Sequence, residues 1–250
     1  MSKKQKNKKI QNKIISIIAV LIIAVIAYIS PNFEKAIGII EKSESNVVEN
    51  VIKYTDSAEV TKADIQKDKL NIIFFYVGQA DSSLIMANDK TMLIDAGNNE
   101  DGKNIAKYIH ELGINKIDYV VGTHSDEDHI GGLDDIIDSF EIGKIFMSKN
   151  GTEKVNYQNV IKAANKKNIE VVQPNRGDKF TFEANDSKTE AEFEVMLALS
   201  GEDISSNNSS IVLKLQYGNT SYLFMGDAEK VAESTRTWPQ VDVLKVGHHG

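Results

Sequence analysis

The chain has 250 residues, enough for one large domain or two small ones, and its 41% hydrophobic content is ordinary for a globular core. It contains no cysteine, which excludes thiol nucleophiles, zinc–thiolate sites and disulfides in any compartment. The formal charge is −7, but six of the 29 basic residues lie in the first 13 positions, leaving 23 against 36 acidic residues, or −13, for the remainder. So acidic a body, without a Lys or Arg stripe, argues against tight nonspecific nucleic-acid binding through phosphate contacts.

Residues 1–13 form a basic tail with Lys3, Lys4, Lys6, Lys8, Lys9 and Lys13, and residues 14–33 then run without a charge, mostly Ile, Val, Ala and Leu. As a helix that stretch reaches about 30 Å, the thickness of a hydrocarbon core, so one N-terminal transmembrane signal anchor is expected. Lysines before the anchor place the tail in the cytoplasm and the rest outside, giving a single-pass protein of the cell membrane with an extracytoplasmic domain. The alternative is a cleaved signal peptide and a secreted product, although Ala27-Tyr28-Ile29-Ser30 is a poor small-residue cleavage site. Residues 34–69 are charged with scattered Ile and Val, and read as a tether between membrane and domain rather than a partner-binding coil. No stable protein partner is inferred.

From residue 70 the pattern becomes regular. Strands at 70–77, 83–86 and 91–94 form a meander, a helix follows at 103–112, and a strand at 117–121 ends at Gly122. Next come a helix at 132–140, a strand at 144–147, a helix at 157–167 and strands at 170–172, 179–182 and 193–198. A hairpin joins 209–216 to 221–224 across Tyr217-Gly218-Asn219-Thr220, before a short helix at 229–234 and a strand at 241–246. Strands and helices in mixed order predict an α/β domain over 70–250, a layered sandwich with its functional loops at one edge.

The loop after the 117–121 strand reads THSDEDHIGG, with His124, Asp126, Asp128 and His129 within six residues. A strand that delivers such a loop aims all four side chains at one point. Imidazole and carboxylate form the mixed nitrogen and oxygen set that suits zinc, manganese or iron(II). Asp227 follows a second strand in LFMGDAEKVAE, where its carboxylate could bridge two metals, and His248 and His249 follow a third in LKVGHHG. A Gly-Asp or His-His pair alone is an ordinary turn. Ligand types at the ends of three strands are rarely a coincidence.

The marks VGQAD at 77–81, LIDAG at 93–97, THSDEDHIGGL at 123–133, NNSSIVL at 207–213, FMGDAEKVAE at 224–233 and LKVGHHG at 244–250 occur in order. On them the chain resembles the metallo-β-lactamase fold, and within it the extracytoplasmic domain of ComEC-type DNA-uptake competence proteins. The resemblance implies a layered αββα sandwich and two divalent transition-metal ions, zinc or manganese. It implies that His124 and Asp126 hold the first ion, that Asp128, His129 and His248 hold the second, and that Asp227 bridges them, with Asp128 and Asp227 as the catalytic carboxylates. Asp95 is expected to accept a ligand histidine's N–H, and Gly131 and Gly132 to let backbone pass close to the ions. Asp81, Asn207, Ser210 and His249 are expected around the metals or on the substrate side, and the choice between His248 and His249 as ligand stays open.

Three departures qualify the resemblance. Asp126 stands where the general HxHxDH pattern has histidine, as the competence branch commonly has it, which makes one position harder and more tolerant of manganese. The usual DVGQGD turn is here Tyr76-Val77-Gly78-Gln79-Ala80-Asp81, without one carboxylate and one glycine. The chain ends at Gly250, where the family continues with Ser or Thr, further strands and often another histidine, so a truncated domain is expected. The implied function is a membrane-anchored, outward-facing hydrolase of phosphodiesters. The alternatives are a hydrolase of lactams, lactones or thioesters, or a non-catalytic surface module.

Overall fold

The computed structural model describes residues 60–184 and 189–250. The basic tail, the expected anchor at 14–33 and the tether up to residue 59 lie outside the described residues. Among the described residues no helix is long and apolar enough to cross a membrane. The compact unit runs from Val60 to Gly250. It begins before the expected boundary at residue 70 because Ile65 packs against a core and the Tyr108 hydroxyl donates to the Val60 carbonyl at 2.6 Å.

Two sheets face each other. The first has six strands in sequential order, β1 (Asn71–Phe74), β2 (Ser83–Ala87), β3 (Lys90–Ile94), β4 (Lys116–Gly122), β5 (Glu141–Met147) and β6 (Glu170–Val172). It opens with the antiparallel meander β1–β2–β3 and continues with parallel pairings through β6. The parallel pairings require crossovers. These are supplied by α1 (Gly102–Glu111), by α2 (Glu127–Ile130) with α3 (Leu133–Ser139), and by α4 (Val155–Lys166).

Strands β2 and β3 are almost wholly apolar because both faces of this sheet are covered. Leu84, Met86 and Leu93 join a core with the helical residues Ile105, Ile109, Leu133, Ile136 and Val160. The alternate residues Ile85, Ala87, Met92 and Ile94 point the other way, against Phe182, Phe193, Val195, Leu213 and Phe224 of the second sheet. That sheet has the order β11 (Val243–Lys245), β10 (Thr220–Phe224), β9 (Val212–Tyr217), β8 (Ala191–Leu197) and β7 (Lys179–Phe182). Its outer side carries a small cluster of Met196, Val212, Leu223 and Met225 closed by Ala228 and Ala232. Among the described residues, the fourth layer of the expected αββα sandwich consists of the one-turn helix α5 (Lys230–Glu233).

The expected elements recur with boundaries shifted by a few residues. β1 ends early, β5 starts early and β9 starts late, the last because a 3₁₀ turn (Asn207–Ser209) replaces the start of the predicted strand. The motif after β4, expected as a loop throughout, contains the helical turn α2 with Asp126 just before it. One consequence is that Asp128 and His129 are carried on helical backbone.

Candidate metal centre

Every chemistry-bearing mark meets at one edge of the sandwich, beyond the C-terminal ends of β3, β4, β10 and β11 and beside the β1–β2 turn. Crevices at the carboxyl ends of strands are the usual binding position in open α/β sheets. The backbone ties these loops together. The Asp81 N–H donates to the Asp128 carbonyl at 3.0 Å, Ala96 N–H to the His129 carbonyl at 2.7 Å, and Ile211 N–H to the Thr123 carbonyl at 2.8 Å, joining the two sheets.

Asp95 organises the buried side. Its carboxylate accepts from the Thr123 N–H at 2.8 Å and the Thr123 hydroxyl at 2.7 Å, and its Oδ2 lies 2.8 Å from His129 Nδ1. That bond places the proton on His129 Nδ1 and leaves Nε2 as the atom facing the cluster. Burial disfavours the charged form of His129, but the Asp95 and Asp227 carboxylates outweigh it and raise the imidazole pKa to about 10.

Asp81, His129, Asp227 and His249 each offer a ligand atom, and these atoms all lie within 4.8 Å of one another. His129 Nε2 is 3.0 Å from Asp227 Oδ1, His249 Nε2 is 3.4 Å from Asp227 Oδ2, and His249 Nε2 is 3.3 Å from Asp128 Oδ2. His124 Nε2 is 3.9 Å from Asp227 Oδ2 and 3.6 Å from Asp126 Oδ2, so it stands at the other side of Asp227 with Asp126 beyond it. Burial would raise the Asp227 pKa, but His129, followed by His124 and His249, reverses the effect and holds it low. Asp126 is also held below the usual carboxylate range, first by its contact with His124, against the opposing effect of burial, and then by Lys154 and Ser206.

The donor set fits a cation on a direct observation. His124 Nε2, His129 Nε2 and Asp227 Oδ1 are buried without a hydrogen-bond partner. The last two lie 3.0 Å apart and attract each other when His129 is protonated. Three orphaned atoms of this kind in one place are what a metal position leaves when protein atoms alone are counted.

Several expected roles change. His248, expected as a ligand, is 51% exposed at its side chain and turns to Glu229 Oε1 at 3.2 Å, whereas His249 is 17% exposed and faces the cluster. The backbone makes the difference, since both residues are left-handed, with φ of 53° and 64°, and the ridge they form sends their side chains apart. Asp81 enters the cluster itself. Ser210, expected on the substrate side, is fully buried and holds the centre from behind. Its Oγ accepts from the Asp227 N–H at 3.0 Å and lies 3.4 Å from His124 Nδ1. Asn207 donates to Glu229 Oε1 at 3.3 Å and lies 3.5 Å from His248 Nε2, at the rim.

Gly131 and Gly132, expected to let backbone pass close to the ions, let it pass close to the backbone of the loop after β3. A Cβ on Gly132 would stand 2.4 Å from the Ala96 carbonyl oxygen and 2.7 Å from Gly102 Cα, so this glycine lets the motif pack on the loop after β3. Gly226 has φ of +54°, and a Cβ there would meet Ser210 Oγ at 2.9 Å, which explains the glycine before Asp227. Sequence reasoning missed Thr123, Lys154, Lys245 and Glu229. Thr123, Glu229 and Lys245 all lie inside recognised motifs without having been assigned a part in the centre. Lys154 carries no sequence signal.

Residues 75–250 match the metallo-beta-lactamase superfamily, and the chain belongs to that family. Two relatives agree with the ComEC-type branch. The chain is 29% identical to ComE operon protein 3 of Bacillus subtilis over 152 residues, covering 59% of this chain and 19% of the relative. It is 26% identical to Recombination protein 2 of Haemophilus influenzae over 206 residues, covering 77% of this chain and 22% of the relative. The chain thus spans about a fifth of the length of these relatives. Among solved structures it is similar to the Rm3 metallo-beta-lactamase, with 13% identity over 74% of this chain and 71% of that one and a TM-score of 0.44.

Proposed function

We propose that the chain is a membrane-anchored, outward-facing hydrolase that uses two divalent ions, zinc or manganese, to cleave a phosphodiester. The observation that carries this reading is the trio of orphaned buried atoms, His124 Nε2, His129 Nε2 and Asp227 Oδ1. Leaving a buried polar group unpaired costs about 1–3 kcal/mol, which coordination would offset. Asp81, His129 and His249, with Asp128 beside His249, would hold one ion. His124 and Asp126 would hold the second, and Asp227 would serve both. When bound, such ions supply Lewis acidity and lower the pKa of water toward neutrality.

The protein's own part is orientation. Asp95 fixes the His129 ring with Nε2 toward the centre, and Ser210 holds the backbone that carries Asp227. Asp126 in place of a histidine makes the second position richer in oxygen, which favours the hard oxygens of a phosphoryl group over a softer partner. Similarity to proteins named ComE operon protein 3 and Recombination protein 2 favours a nucleic-acid type of phosphodiester over a lactam, lactone or thioester. The uncharged stretch at 14–33 supports the anchor and the outward orientation. Protease added to intact cells should then remove the folded unit.

The test uses the full chain loaded with manganese or zinc. It should bind about two ions per chain and cleave bis(p-nitrophenyl) phosphate, with weak activity on single-stranded DNA and little on β-lactams. Asp227→Ala should lose more than one ion together with the activity. A chain that binds no metal by elemental analysis would sink the catalytic reading in favour of a surface module. Efficient lactam or lactone opening with every phosphodiester untouched would replace it with the acyl alternative.

A further inference from the structure

We infer that Lys154 recognises the substrate's charge, engaging an anionic phosphoryl oxygen at the His124–Asp126 end of the cluster. This rests on the phosphodiester reading above and deepens it. Two lysines touch carboxylates of the centre, Lys154 on Asp126 and Lys245 on Asp81, and they differ in kind. Lys245 is 18% exposed and lies between Asp81 and the Val246 carbonyl, turned inward. Lys154 is 40% exposed, and among the described residues its ammonium donates to Asp126 Oδ1. An ammonium carries three donors, so Lys154 has donors left at the rim.

The carboxylate between them divides its work. Asp126 Oδ2 faces His124 Nε2 at 3.6 Å, while Oδ1 takes Lys154. Asp126 can therefore offer Oδ2 to a metal without releasing the lysine. The lysine is also held in place by its surroundings. Its N–H donates to the Gly151 carbonyl at 3.0 Å, and Asn150 Nδ2 donates to the Gly201 and Ile204 carbonyls at 3.0 and 2.9 Å. The Asn150 bonds join the loop after β5 to the loop before the 3₁₀ turn, and the hydroxyls of Ser125 and Ser206, which meet at 3.0 Å, join that same loop to the one after β4 beside Asp126. A body of charge −13 beyond its basic tail, with Asp81, Asp126, Asp128 and Asp227 lining the centre, repels an anion in general. A cation fixed at the rim with spare donors is what admits an anion at this point.

The experiment uses the full, manganese-loaded chain and two readouts, calorimetric titration with inorganic phosphate and steady-state cleavage of bis(p-nitrophenyl) phosphate. Lys154→Ala and Lys154→Met, the second keeping the apolar stem, should bind as many ions as the parent while weakening phosphate about tenfold, the size of one lost charge-assisted hydrogen bond. KM for the diester should rise by a similar factor, with a smaller fall in kcat. Lys154→Arg should restore most of the phosphate affinity, and Lys149→Ala should bind phosphate like the parent. Undiminished phosphate affinity in both the Ala and Met variants would overturn the inference, as would a parent chain that binds no phosphate. Equal loss of metal and phosphate in both variants would also overturn it, because Lys154 would then serve Asp126 alone. Lys154-dependent phosphate binding by a parent chain that cleaves no diester would leave the anion site standing and remove the hydrolase reading.

Discussion

His124, Asp126, Asp128 and His129 leave the end of β4 together, whereas Asp227 and His249 arrive from the ends of β10 and β11 in the opposite sheet. The first group is fixed from within its own sheet. Asp95 bonds Thr123 and His129, α2 sets the spacing of Asp128 and His129, and Gly132 seats the turn on the loop after β3. The second group is fixed from the opposite sheet. Ser210 holds the backbone of Asp227, and His249 stands on two consecutive left-handed residues. One side of the centre is thus a hydrogen-bonded platform around the buried His124 and His129, and the other closes on it through the buried Asp227 and the strained left-handed ridge that carries His249.

The largest expected effect tests the platform. Asp95→Ala would orphan the buried donors on Thr123 N and His129 Nδ1 and take from the Thr123 hydroxyl its shortest partner. Breaking a buried charged network by removing one partner costs about 3–5 kcal/mol. Urea unfolding in chelator should show a loss of that size, against under about 1 kcal/mol for His249→Ala, whose ring is not part of a packed core. Equal losses in the two variants would erase the contrast between platform and ridge. Gly132→Ala comes next, at about 1–3 kcal/mol for overpacking, because its Cβ would meet backbone that cannot swing aside.

The platform was the legible side. Its four residues lie in one run, directly after an apolar strand, so the sequence reveals both their identity and their convergence. Asp95 was legible for a similar reason, ending its own strand. The choice between His248 and His249 depends on backbone torsions in the loop after β11, which residue types do not encode. Ser210 reads as a turn polar residue until the packing of β9 against the end of β4 buries it. Gly131 and Gly132 advertise a close approach, but only the fold shows that the approach is to the loop after β3 and not to a ligand. Lys154 lies far along the chain from Asp126, before α4, and no local pattern connects them.

The pH dependence of the platform follows from His129. Its folded-state pKa is raised from 6.5 to about 10, so the metal-free chain takes up a proton on folding. The stability gained is complete below the unfolded value near 6.5 and is lost as pH rises through about 10. Divalent ions compete with the same proton, so metal affinity should rise across that window. Urea unfolding in chelator between pH 6 and 10 and a zinc titration over the same range should move in opposite directions. Stability independent of pH in the parent, or the same slope in His129→Gln, would detach the effect from this residue.

The smallest effect probes the ridge. His248→Gly replaces a left-handed residue with one that adopts φ near +53° freely. A left-handed L-residue carries about 1–2 kcal/mol of strain, less for histidine than for a branched side chain. Against that relief stand glycine's larger loss of backbone freedom, about 0.5–1 kcal/mol, and the exposed contact with Glu229, which as a surface pair contributes under about 1 kcal/mol. The terms nearly cancel, so His248→Gly should unfold within about 1 kcal/mol of the parent and keep its full metal content. His249→Gly enjoys the same backbone relief but removes the ring that faces Asp128 and Asp227, and should lose metal. If His248→Gly released metal and His249→Gly kept it, the two rings would have to exchange places in the metal-loaded protein, and the ridge would be a switch between them.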